Sequence, residues 1–369
     1  MKVPLLDLNA QYDNILADIK IEIDKVIESH KYILGPQVKE FEEDMQRYCE
    51  VKHAVGCASG TDALVLALKA LDVQENDEVI TTTFTFFATA GAISRVGAKP
   101  IFVDIKPDTF NIDQTKIEDS ITPKTKAIIV VHLFGQPAEM DKIMEIAQKH
   151  NLKVIEDNAQ GIGAKFDGEI AGTIGDIGTL SFFPSKNLGA MGDAGMCLTN
   201  DNALAARLVQ LRVHGENPQY YHKWVGLNSR LDTMQAAVLK VKLPHLENWS
   251  ESRRKNAQYY YKNLSDVSQI KTPFIHEKAT SIYNQFTLIA EDRDKLLEHL
   301  RKNNIGCAVY YPKPLHIQEC FSNLGYKKGD LPIAEEVSQN VISIPIYSEI
   351  TEEQQDYVIK NIKEFYTKK

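Results

Sequence analysis

The sequence predicts an α/β protein, with a large unit built on a mostly parallel sheet covered by helices and a smaller C-terminal α+β unit after it. Three observations lead there. Helical patterns alternate with short apolar runs from about residue 36 to about residue 200, as in strand–helix crossovers that wind a parallel sheet in one hand. Beyond about residue 230 this gives way to one long, charged amphipathic pattern and then a mixed segment. The chain has 369 residues, 43% hydrophobic and 25% charged, a globular composition long enough for two or three domains.

Taken in order, Gly35-Pro36 opens a helix, because proline suits an early helical position, and Val38, Phe41, Met45 and Tyr48 recur at spacings of three and four. A short apolar stretch to Cys57, a turn at Ser59-Gly60-Thr61 and a helix reading LVLALKAL follow. Further strands are expected at Glu78–Thr82, Pro100–Asp104, Ala127–His132, Leu152–Glu156 and Thr179–Phe183. The long helix starts at Asp232, breaks near Pro244 and continues through LENWSESRRKNAQYYYKNL. It links a large domain expected at 1–245 to a smaller one at 246–369. The smaller one should hold strands near Tyr283–Ala290, Val309–Tyr311 and Val341–Pro345, and helices at Arg293–Asn303 and Thr351–Phe365.

The net charge of −8 argues against nucleic acid or an anionic membrane as the main partner, since both need clustered Lys and Arg. Five scattered cysteines without a C-x-x-C pair suggest neither a disulfide framework nor a zinc site, and the ten histidines show no metal-ligand spacing. No metal is expected. The start, MKVPLLDLNAQYDN, does not read as a secretory leader, and no apolar run approaches the ~20 residues of a membrane span, so the cytoplasm is the expected compartment.

Several segments could carry chemistry. The strand LKVIE ends in Asp157, followed by Gln160, at the edge where parallel strands deliver ligands. Asp157 could cap a turn, or could hold a heteroaromatic nitrogen protonated. Lys186, in SFFPSKNLGAMGDAG, lies among aromatic and small residues. It is either a solvated loop lysine or a desolvated amine with a lowered pKa, able to form a Schiff base. Ser181 could donate to a phosphate or bond locally. Gly60, Thr61 and Asp62 open a helix whose free amides could bind phosphate, although Thr61 is equally an ordinary N-cap. Phe86 could stack on a planar ring or belong to the core. The glycines at 189, 192 and 195 do not match a dinucleotide fingerprint, and no P-loop or H-E-x-x-H occurs. An Asp at a strand end, a later lysine, a serine with a helix N-terminus, and an aromatic are together what pyridoxal phosphate (PLP) requires.

At this point the chain resembles the DegT/StrS family of PLP-dependent sugar aminotransferases along essentially its whole length. The segments AVGCASGTDALVLAL, TTFTFFATAGAI, HLFGQPAEMDKI, VIEDNAQGIGA, SFFPSKNLGAMGDAG, GLNSRLDTMQAAVL and VYYPKPLH carry the likeness, in family order. The resemblance implies the fold type I architecture of PLP-dependent transferases, with Lys186 bound covalently to the cofactor and Asp157 pairing with its pyridine nitrogen. Gln160 would bond the ring hydroxyl and Phe86 would stack on the ring. Ser181, Thr61 and the backbone near Gly60 and Asp62 would hold the phosphate. Asn228 would reach the phosphate of a partner subunit, implying a homodimer. Arg230, Tyr311 and His316 are weaker candidates for substrate contacts. The implied reaction takes an amino group from glutamate, through the pyridoxamine form, to a keto group of a nucleotide-linked sugar.

The position on the sugar can also be read. Family members acting at C-4 tend to show a His in the strand-end motif and a segment like FSFHPxKxxTxGEGG, whereas C-3 members show DxAQ and SFYPxKNLGAxGDGG. With Asp157-Asn158-Ala159-Gln160 and Lys186-Asn187-Leu188-Gly189, the chain resembles the C-3 group, and departs from it with Phe183 for tyrosine and Ala194 for glycine. C-4 amination and a non-enzymatic PLP-binding regulator are the alternatives. A dehydratase branch is disfavoured, because it replaces the lysine by histidine. Amino sugars for polysaccharide, such as lipopolysaccharide O-antigen, or for glycosides are the expected products.

Overall fold

The computed structural model describes residues 1–367. Its strands are β1 (His53–Cys57), β2 (Glu78–Thr82), β3 (Lys99–Val103), β4 (Thr125–Val131), β5 (Lys153–Asp157), β6 (Lys165–Phe166), β7 (Glu169–Ile170), β8 (Ile177–Ser181), β9 (Gly195–Thr199), β10 (Ile270–Lys271), β11 (Ala279–Thr280), β12 (Phe286–Ala290) and β13 (Val341–Ile344). Its helices are α1 (Leu8–Tyr12), α2 (Leu16–Ser29), α3 (Pro36–Cys49), α4 (Gly60–Ala70), α5 (Ala88–Arg95), α6 (Met140–His150), α7 (Asn202–Leu211), α8 (Thr233–Lys242), α9 (Leu246–Leu264), α10 (Arg293–Lys302), α11 (Pro332–Asn340) and α12 (Glu352–Thr367).

Seven strands form the central sheet in the order β1-β9-β8-β5-β4-β2-β3. The pairs β2–β3, β2–β4, β4–β5 and β5–β8 are parallel, while β9 runs antiparallel to both β1 and β8. A second sheet, β10-β12-β13, belongs to the C-terminal region. The third joins β11 to the hairpin β6-β7.

Sequence explains the packing. Helix α3 starts with Pro36 after Gly35 and ends where Glu50 turns left-handed, and its Val38, Phe41, Met45 and Cys49 are buried. Helix α4 is apolar nearly all round and nearly all buried, lying against β8, β9, α5 and α7. Each fully buried leucine there, Leu66 and Leu68 among them, contributes roughly 2 kcal/mol of apolar transfer. A separate core gathers Tyr260, Phe286, Leu296, Ile342 and Val358, and includes Val3 from the amino terminus, which bridges to Ile305.

Several expectations change. Helices α1 and α2 precede the first one expected; the signal was Asp7, whose Oδ1 caps α1 by accepting from the Asn9 and Ala10 amides. Strand β9 was not anticipated. No strand forms at Val309–Tyr311: only Ala308 bridges, to Ser343, because Pro312 and Pro314 just downstream lack amide donors. The break near Pro244 is one tight turn, Leu243–His245, between α8 and α9. Among the described residues no helix is long and apolar enough to cross a membrane.

Candidate active site

The carboxyl ends of β5 and β8 and the N-terminus of α4 converge on a cavity of about 630 Å³. Glycines permit the approach. A Cβ on Gly60 would stand 2.6 Å from Ser181 Cβ, and one on Gly195 would stand 2.3 Å from the Ser59 carbonyl. The cap of α4 is Ser59, not Thr61: Ser59 Oγ accepts from the Asp62 amide at 3.1 Å. Asp62 therefore has its amide engaged and does not line the cavity, whereas Gly60, Thr61 and Ser181 do. The Gly60 and Thr61 amides have no partner among the described residues. With the positive end of α4 and the Ser181 hydroxyl, they form an anion cradle that a side chain at residue 60 would fill.

Lys186 enters from the turn after β8, where its amide donates to Phe183 O at 2.8 Å. The following Asn187 is tied to Ile282 O at 3.1 Å and to the Asn284 amide group at 2.8 Å. The Lys186 amine makes no hydrogen bond or ion pair among the described residues, and burial, opposed by the charge of Asp157, brings its pKa down to about 8. About a tenth of this amine is therefore neutral at pH 7, on the order of a hundred times the share of an ordinary lysine.

Asp157 is buried at the end of β5. Its Oδ2 accepts from Thr89 Oγ1 at 2.8 Å and its Oδ1 from the Ala159 amide at 3.3 Å. Burial pushes its pKa up, against those two hydrogen bonds and the charge of Lys186. The preceding Glu156 points elsewhere. It accepts from His132 Nε2 at 2.8 Å and from the amides of Gly172, Ile174 and Gly175. Its burial is outweighed by these bonds, so its pKa lies below the usual range. His132 Nδ1 accepts from the Ala138 amide at 3.2 Å, which leaves Nε2 as the donor to Glu156. This buried pair anchors the loop after Asp157.

Gln160 Oε1 accepts from the Phe134 amide at 2.8 Å, and its Nε2 donates to the Tyr311 hydroxyl at 3.1 Å. Burial also pushes the Tyr311 hydroxyl upward in pKa. Phe86 is 59% exposed, with its ring centroid 6.4 Å from that of Tyr311, so the core alternative fails for it; Phe84 is the core residue of that segment.

Two groups fall outside the cavity. His316, expected as a substrate contact, is 1% exposed. Its Nδ1 meets Thr83 Oγ1 at 2.8 Å and its Nε2 meets Glu335 at 3.1 Å, which turns the ring away from the cavity. Asn228 and Arg230 line a separate depression of about 490 Å³, and Asp193 lines both spaces. Ser229 Oγ between them accepts from the Ala58 amide at 3.3 Å, tying this segment to the β1–α4 turn. Sequence reasoning missed Ser59, Thr85, Ser185, Asp193, Gln285 and Tyr310 as lining residues and Thr89 as the partner of Asp157. Only Thr85 and Thr89 had a visible signal, the spacing of four at a helix start. Among the described residues no cluster could hold a metal ion.

A sequence profile of the DegT/DnrJ/EryC1/StrS aminotransferase family matches residues 13–363. The chain is 50% identical over 368 residues, 99% of each chain, to a protein of Geobacillus stearothermophilus named pleiotropic regulatory protein. It is 44% identical over 352 residues, 95% of each chain, to the UDP-N-acetyl-3-dehydro-alpha-D-glucosamine 3-aminotransferase of Acidithiobacillus ferrooxidans. The crystal structure of S. venezuelae DesV matches with a TM-score of 0.96 at 39% identity, over 99% of this chain and 98% of that one. NtdA of Bacillus subtilis, solved with bound pyridoxamine phosphate, matches with a TM-score of 0.93 at 33% identity, over 99% and 85%.

Proposed function

The chain belongs to the DegT/DnrJ/EryC1/StrS aminotransferase family, and from that premise we propose that it transfers an amino group from glutamate to C-3 of a nucleotide-linked keto sugar, with pyridoxal phosphate as cofactor. One observation carries the chemistry: a lysine amine with no partner among the described residues, lowered to about pKa 8, shares a cavity with a buried carboxylate and an anion cradle. The cradle, the amine and the carboxylate suit the three polar ends of this cofactor.

Bound there, pyridoxal phosphate supplies an aldehyde carbon to carry the amino group and a ring that accepts electrons. The Gly60 and Thr61 amides and the Ser181 hydroxyl bind the phosphate. Lys186 Nζ binds at the aldehyde end and, as a free amine, takes the proton from the donor's α-carbon. Asp157 holds the proton on the ring nitrogen, since a nearby carboxylate favours the charged pyridinium. The second proton of Gln160 Nε2, not used by Tyr311, would donate to the ring hydroxyl, Phe86 would cover the ring, and Tyr311 would line the sugar side.

Asn228 and Arg230 lie away from their own cavity and Asn228 is exposed, which supports a homodimer in which Asn228 completes the partner's phosphate site. The C-3 position is supported by the D-N-A-Q and lysine segments and by the name of the Acidithiobacillus relative. The product would be an amino sugar for polysaccharide or glycoside synthesis, made in the cytoplasm, where five unpaired thiols stay reduced. The name of the Geobacillus relative favours a second, regulatory reading.

One experiment separates them. Purified protein with PLP is mixed with glutamate and a panel of 3-keto and 4-keto nucleotide sugars. The expected result is a visible band that glutamate abolishes, and NMR of the product with nitrogen on C-3. Nitrogen on C-4 overturns the position; a band that glutamate leaves untouched overturns the enzyme and leaves the regulator.

A further inference from the structure

Two hydroxyls stand behind Asp157. Thr89 Oγ1 donates to Asp157 Oδ2 at 2.8 Å, and the Thr85 and Thr89 Oγ1 atoms lie 3.0 Å apart. A hydroxyl has one proton. With that of Thr89 committed to the carboxylate, Thr85 is the donor in the second bond, so the bonds run one way, from Thr85 through Thr89 to Asp157. Thr89 is wholly buried in the first turn of α5, and Thr85 is 3% exposed, just before it on the cavity wall. Threonine near a helix start commonly returns its hydroxyl to the backbone; among the described residues neither does so here.

We propose that Thr89, backed by Thr85, is a positioning residue that keeps Asp157 ionised and aimed at the ring nitrogen of pyridoxal phosphate. This rests on the cofactor reading above. The 2.8 Å bond fixes one carboxylate oxygen, and the other, held only by the 3.3 Å contact to Ala159, keeps lone pairs for the ring. Burial works against the charge, and the Thr89 bond is the foremost influence opposing it. The ionisable groups facing Asp157 are Lys186 from the turn after β8, His132 from the end of β4 and Tyr311 from the C-terminal region. None donates a hydrogen bond to it among the described residues. A protonated Asp157 could not hold the pyridinium proton.

The test uses the holoenzyme and Thr89→Val, which keeps the shape and removes the hydroxyl. Loss of a hydrogen bond to a charged group is expected to lower the pH at which the bound ring loses its proton by about one unit or more, read from absorbance across the pH range. Conversion by glutamate in a single turnover should slow about tenfold or more, with little change in glutamate KM, and PLP should bind more weakly. Thr89→Ser should restore all three. Thr85→Val should show the same changes in smaller measure, and it decides the matter if Thr89→Val does not fold. Wild-type titration and conversion in the valine variants, whatever their melting temperatures, overturn the inference alone. A wild-type protein whose cofactor glutamate does not convert overturns the functional reading beneath it.

Discussion

Two lysines of this chain have had their basicity lowered by burial to about the same pKa, near 8, yet they occupy opposite kinds of place. Lys186 has an amine without a partner among the described residues, and it opens on a cavity of about 630 Å³. Lys242, at the end of α8, is fully buried. Its amine has the Tyr12 hydroxyl at 3.5 Å and the rings of Tyr12 and Trp249 at 4.8 and 5.7 Å. A carboxylate opposes each shift, Asp157 for one and Glu349 for the other. Desolvation alone therefore does not make an amine reactive. Room for a reactant, and a carboxylate committed to other donors, make the difference.

The sharpest way to break the comparison is Lys186→Ala. Removing nucleophile and base together should cut amino transfer by at least about 10³-fold and abolish the visible band, leaving the circular dichroism of the fold unchanged. Residual turnover within tenfold of wild type would show that the amine is not the reacting group. Next comes Asp157→Asn, equal in shape but without charge. It should slow the glutamate half-reaction by about 10² or more while Lys186 still captures PLP; a full-rate variant would remove the carboxylate from the mechanism.

The pH dependence of that capture separates Lys186 from a solvated lysine. Its pKa is lowered, so the neutral, reactive form accumulates as pH rises, is half formed near pH 8 and is nearly complete about one pH unit higher. The rate at which the apoprotein takes up PLP should climb through about pH 8 and level off about one pH unit above it. A rate still climbing toward pH 10 would mean that the amine is solvated.

The two lysines also mark what a sequence can disclose. Lys186 stood out because its neighbours are aromatic and small, and Asp157 because it ends an apolar run; both are local facts. The α/β alternation was legible for the same reason, each crossover repeating one pattern. Strand β9 was not, because Gly195–Thr199 follows a glycine-rich turn and owes its place to pairing with β1, far away in the chain, as well as with the preceding β8. Thr89 and Lys242 acquire meaning only from contacts 68 and 230 residues distant. His316 misled for the converse reason: it is close in sequence to Tyr311, which lines the cavity, but the backbone turns its ring toward Thr83. The roles within the site came from the resemblance to a family, since spacing alone left each residue with an ordinary structural reading.

Lys242 supplies the smallest and most discriminating effect. Its folded pKa is below that of an unfolded lysine, so between about pH 8 and about pH 10 the unfolded chain binds more protons and stability rises with pH. Below about pH 8 the charged amine stays buried at full cost. Lys242→Met fills similar volume without a charge and should leave amino transfer unchanged. It should stabilise the protein at pH 7 by about 1 kcal/mol, less whatever the two rings return to the cation, and by less at pH 10. Thermal melts at the two pH values measure the difference. A loss of stability at pH 7 that vanishes at pH 10 would mean the aromatic contacts outweigh desolvation. Lost activity in a folded variant would mean that this amine, buried against Tyr12 and Trp249, nonetheless bears on the chemistry, and the distinction between the two lysines would fail.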